Sequence, residues 1–132
     1  MFLLVLSFLV SVVRASAFEV QSRAQIEDYI IYIAHHEGVS VSLALEIARH
    51  ESNFVANAKN PKGSASGVYQ FLDSTFSHYC IKKYGRAQSL EEKNDPKVQI
   101  SCAIAMLREP GGHRHWDESK RGWGYTLSLL QS

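Results

Sequence analysis

The sequence predicts one domain, mostly α-helical. Apolar residues recur at three- and four-residue spacing in four segments, helix start and stop signals bracket those segments, and no stretch sustains the two-residue alternation of a strand. A chain of 132 residues suffices for one ordinary domain and is short for two. At most a small β-ribbon is expected, in the middle loop.

The first residues stand apart from that domain. "MFLLVLSFLVSVV" is an apolar run followed by "RASA", where Ala15 and Ala17 make an A-x-A cleavage pattern. The run is short for a membrane span. Residues 1–17 are therefore expected to be a secretory signal peptide, leaving 18–132 as an exported domain with no stable membrane insertion. The absence of Lys or Arg before the run, with Arg14 close to the cut, keeps an uncleaved anchor as the alternative. Without Arg14, 13 basic residues face 13 acidic ones, and the net charge of +1 falls to zero. That balance argues against a nucleic-acid partner, which needs a basic surface.

Ser22 with Gln25 forms a capping-box pattern, and the helix it opens carries Ile26, Tyr29, Ile30 and Ile33 on one side. Gly38 stops it. His35 and His36 fall in the last turn, where a cation suits the helix dipole better than a metal explains the pair. A second helix begins near Ser40 and contains "LALEIARHESNF". After Phe54 comes "VANAKNPKGSASGVYQ", an irregular loop long enough to suggest function.

Asp73 reads as the N-cap of a third helix with Phe76, Cys80 and Tyr84 inward, ended by Gly85. Asp95 caps a fourth with Pro96 at its first position, and Val98, Cys102, Ala105 and Met106 on the inner face. Cys80 and Cys102 are the only cysteines, each on a buried stripe. In an oxidising compartment they are expected to form a disulfide, with two buried free thiols as the alternative. No metal or other cofactor is expected. His113 and His115, in "REPGGHRHWDESKRGWG", read as members of a polar Gly-rich loop more readily than as ligands. A short segment, "YTLSLLQS", closes the chain.

The second helix raises the functional question. Ala44, Ile47 and Ala48 share a face, and the next residue on it is Glu51, while Glu46, Arg49 and Asn53 lie on the other side. A carboxylate in apolar surroundings loses hydration, which raises its pKa and suits it to general acid–base work near pH 6 to 7, roughly. A buried Glu locked in a salt bridge fits the periodicity equally well.

The following residues point one way. "HESNFVANAKNPKGSASGVYQFLDSTF" resembles the catalytic region of soluble lytic transglycosylases, relatives of goose-type lysozyme. Glu51-Ser52 stands for the family's Glu-Ser pair at a helix end, and Gly67-Val68-Tyr69-Gln70 for its Gly-Leu-Met-Gln-like turn. Ala58 and Gly63 fit the small residues of the loop between them. "NDPKVQISCAIAML" is similar to the family's later Asp-Pro-capped helix, so the likeness covers roughly 39–107. Tyr69 replaces the usual Met, Asp73 stands where Pro is frequent, and the Ala-Tyr-Asn-Ala-Gly-like motif is absent. Trp123-Gly124-Tyr125 comes closest to it in position.

The resemblance implies a lysozyme-like helical fold and a monomeric enzyme. Its partner would be the peptidoglycan glycan strand, cut between N-acetylmuramic acid and N-acetylglucosamine with Glu51 as the single catalytic residue. Ser52 would bond the acid or the acetamido group of the sugar, or merely end its helix. Gly67 would let the backbone approach the substrate or adopt positive φ. Tyr69 would wall a pyranose ring or pack in the core. Gln70 would bind sugar hydroxyls or brace the loop, and Tyr125 would reach the sugar groove or pack the C-terminus. A hydrolysing goose-type lysozyme stays open, with Asp73 or Asp117 as second carboxylate. So do a non-catalytic peptidoglycan binder and a disulfide-stapled inhibitor or toxin.

Overall fold

The computed structural model describes residues 21–119 and 128–130; the expected signal peptide and Tyr125 lie outside the described residues. Helix α1 spans Arg23–His36, α2 Val41–Ser52 and α4 Pro96–Arg108, with α3 a single turn at Asp73–Thr75. The turn α3 runs directly into a π-helical segment, Phe76–Lys83. Short 3-10 turns follow at Leu90–Glu92 and Gly112–Ser119. The middle ribbon is reduced to two single antiparallel bridges, Lys59 with Ser66 and Ser66 with Phe71. The described chain is thus mostly helical, as expected of a lysozyme-like domain.

Local chemistry fixes the helix ends. Ser22 Oγ accepts from Gln25 N while the Gln25 side chain accepts from Ser22 N, completing the capping box. Ser40 caps α2 by accepting from Leu43 N, and Asp95 caps α4 by accepting from Lys97 N, ahead of Pro96. Helix α1 packs on α2 and α4. Ile26, Ile30 and Ala34 from α1 meet Leu43, Ala44, Ile47 and Ala48 from α2 over Ile100, Ala103 and Ile104 of α4, all in one core.

The third helix departs from expectation twice. Asp73 is not an N-cap; Leu72 occupies that position, and Asp73 is the first helical residue. Its backbone N–H is satisfied by Ser64 Oγ at 3.1 Å, leaving its carboxylate to pair with Lys93 Nζ at 2.7 Å. Lys93 is buried, and this pair, with a second bond to Ser64 O, offsets the cost of taking its charge out of water. The segment that follows is π-helical, with Tyr84 N donating to Tyr79 O five residues back. Phe76 and Cys80 still point inward.

Cys80 and Cys102 are joined, with Cα atoms 5.4 Å apart across a sequence separation of 22. The bridge ties the π-helical segment to α4, beside the Lys83–Glu109 ion pair at 3.0 Å. A closed loop of that length restricts the unfolded chain by about 3 kcal/mol. The double variant Cys80→Ser/Cys102→Ser is therefore expected to lose about 3 kcal/mol in urea denaturation.

Candidate active site

Glu51 stands one residue from the C-terminal end of α2, half-buried, on the side where Ala44, Ile47 and Ala48 enter the core. It opens into a cleft of about 760 Å³. One wall comes from the loop after α2, through Asn60, Ala65, Gln70 and Phe71; the other comes from the last 3-10 turn, through Arg114, His115, Trp116 and Asp117. Carboxylates, amides, a guanidinium and aromatic rings thus converge on one groove, a mixture suited to a hydroxylated ligand.

The backbone beside Glu51 is strained. Among the described residues, three without glycine's freedom have positive φ: Asn53 at 51°, Phe54 at 61° and Gln70 at 53°. The first two form the turn that leaves Glu51's helix, and the third lines the cleft. Left-handed conformations cost a side-chain-bearing residue about 1 to 2 kcal/mol and persist only where the surroundings over-determine them.

Tyr69 supplies much of that over-determination, and of the two roles expected for it, sugar-facing wall or core packing, its position is the core. The ring is fully buried; its hydroxyl donates to Ala44 O at 2.9 Å, about two helical turns before Glu51 on the same face. Burial pushes that hydroxyl well above the usual phenol range, so it remains a donor. Tyr69 N donates to Gln99 Oε1 at 2.7 Å, and Tyr69 O accepts from Trp116 Nε1 at 2.9 Å. Trp116 in turn lies edge-on to Phe71 at 6.0 Å and tilted against Tyr69 at 5.7 Å.

The other expected contacts fall in the same turn. Ser52 Oγ donates to Val68 O at 2.7 Å, clamping the end of α2 to the loop. Gly67 has φ of 86°, but the group that approaches it is Gln99: a Cβ there would lie 2.2 Å from Gln99 Nε2. The Gln70 amide donates to Ala58 O and Gly67 O, bracing the loop, while the residue lines the cleft. Glu51, Ser52, Gly67, Tyr69 and Gln70 are therefore brought together. Asp73 is turned away, to Lys93, and does not line this cleft; Asp117 does.

Arg114, His115 and Trp116 were not singled out from the sequence for this groove. Two Trp residues, Trp116 and Trp123, in a Gly-rich polar run are the available signal. Gly112 sets up their turn, since a Cβ there would sit 1.9 Å from Met106 O. Burial, then the nearby Lys83 ammonium, hold the His115 imidazole below its ordinary pKa, with Glu109 opposing. Among the described residues no group of three or more His, Cys, Asp or Glu side chains could hold a metal ion.

Residues 28–114 match the transglycosylase SLT domain, and the chain belongs to that family. It is 35% identical over 83 residues to the probable transglycosylase SceD of Staphylococcus aureus strain Newman, and equally to the SceD proteins of strains USA300 and COL. Each alignment takes in 61% of this chain and 35% of the relative, so the chain spans about a third of the length of these curated relatives. No solved structure matches it.

Gly67→Ala should cost about 2 to 4 kcal/mol in chemical denaturation, from the positive φ together with displacement of a Gln99 amide that three hydrogen bonds hold in place. Burial, above all, keeps the folded His115 ring harder to protonate than a free one. The folded state favours the neutral ring, so the stability it gives is present above the ordinary value of about 6.5 and lost as pH falls below it. An NMR titration should place the His115 midpoint below that value.

Proposed function

We propose that the chain is an exported peptidoglycan lytic transglycosylase that cleaves the β-1,4 bond between N-acetylmuramic acid and N-acetylglucosamine. The observation that carries this reading is Glu51, held at a helix end and opening into the polar and aromatic cleft of an SLT-family domain. The apolar leader and its A-x-A pattern support export to the compartment where that substrate lies.

In this mechanism protonated Glu51 gives its proton to the glycosidic oxygen as the bond from that oxygen to muramoyl C1 breaks. Positive charge builds on C1 and the ring oxygen. The muramoyl C6 hydroxyl then bonds to C1 through its oxygen and returns its proton to the Glu51 carboxylate. The products are a free 4-hydroxyl on one fragment and a 1,6-anhydro end on the other. No water is consumed, and Glu51 ends as it began. Arg114, Asn60 and Gln70 would hold the sugar substituents while Trp116 backs the groove.

Asp117 favours a second reading. It lines the same cleft as Glu51, and a carboxylate there could activate water and make the enzyme a hydrolase. Mass spectrometry of the released muropeptides separates the two: anhydro ends are expected, and products heavier by one water would establish hydrolysis. Glu51→Gln should lower murein clearing by about a hundredfold or more, within the range for losing a general acid–base group. Equal clearing by wild type and variant would remove Glu51 from the chemistry and leave a binding protein.

A further inference from the structure

We propose that Gln99 is a positioning residue for the cleft, acting through the Ser66–Phe71 turn on the alignment of Gln70, which lines the cleft together with Glu51; the inference rests on the cleft's assignment as the reaction site. Gln99 is fully buried on the inner face of α4, with no exposure to any ligand. Its amide is completely used. Oε1 accepts from Tyr69 N at 2.7 Å, and Nε2 donates to Ser66 O at 3.2 Å and to Lys93 O at 2.7 Å. Three backbone groups from two loops are thus satisfied by one side chain reaching from a third element.

Gly67 completes the fit, because its missing side chain is what lets the Gln99 amide lie flat against the turn. The turn it holds is the strained one. Gln70, at φ of 53°, cannot stay left-handed unless the residues on both sides are fixed, and Tyr69 is fixed by Gln99 on its N–H and by Trp116 on its carbonyl. Asn is one methylene short of this reach, Glu loses the donors, and Met loses all three bonds. Release of the turn would leave Glu51 on its helix and shift the cleft wall that carries Gln70. A displacement of about 1 Å at such a wall costs on the order of a hundredfold in rate.

The test compares Gln99→Met with wild type and with Ile30→Ala, a core variant on α1 chosen as a thermally destabilised control. For Gln99→Met, kcat on purified murein per folded molecule should fall at least fivefold with KM changed less than threefold. The Tyr69 amide should also exchange with deuterium at least tenfold faster relative to the amides of α2. Ile30→Ala should do neither. A Gln99→Met kcat loss of less than fivefold, an equal loss in Ile30→Ala, or unchanged relative exchange at Tyr69 would overturn the proposal. Should Gln99→Met fail to fold, the near-isosteric Gln99→Glu, which keeps the acceptor for Tyr69 N and loses both donors, is read by the kcat and KM criteria alone. Should the wild type cleave no murein, the glycosidic reading falls, and amide exchange at Tyr69 alone decides the role of Gln99.

Discussion

The site depends on how one buried tyrosine is held. Tyr69 offers three polar groups, and each is taken by a different part of the chain: the hydroxyl by α2, the amide by α4, the carbonyl by the turn containing Trp116. None of these groups could be left unmatched in the core without a cost of about 1 to 3 kcal/mol. Satisfying all three fixes the relative position of the elements that form the cleft. The helix that carries Glu51, the wall that carries Gln70 and the wall that carries Arg114 to Asp117 are referenced to the same residue.

That arrangement explains why strain can be tolerated where it is found. Asn53 and Phe54, just after the helix that carries Glu51, and Gln70, which lines the groove, hold unfavourable backbone angles. Phe54 is anchored by burial, and Gln70 by its own two amide bonds to the loop. The Lys93–Asp73 pair secures the far side of the same loop. A loop with almost no regular secondary structure is thereby kept rigid by side chains, which is the condition a preorganised site requires.

Much of this was legible in the sequence because it is local. Capping at Ser22, Ser40 and Asp95 involves partners two or three residues away, and the core faces of α1, α2 and α4 follow from helical period. The misreadings are all non-local. Asp73 failed as a cap because Ser64 and Lys93, nine and twenty residues distant, compete for its groups. The choice between wall and core for Tyr69 was equally out of local reach, because its hydroxyl partner, Ala44 O, lies 25 residues back. The π-helical register leaves the positions of Phe76 and Cys80 unchanged and so has no signature in apolar spacing. Gln99 was detectable in principle. It interrupts the face formed by Cys102, Ala103 and Met106 in the same manner as Glu51 interrupts its own, and only the acid was recognised as an anomaly.

Trp116 has a consequence for where this unit can be cut. The family match ends at residue 114 and begins at 28, inside α1 and past its capping box. A fragment trimmed to those limits would start without the Ser22–Gln25 cap and stop two residues short of the indole that closes the core over Tyr69. A fragment meant to keep this cleft therefore needs at least Ser22 through Asp117.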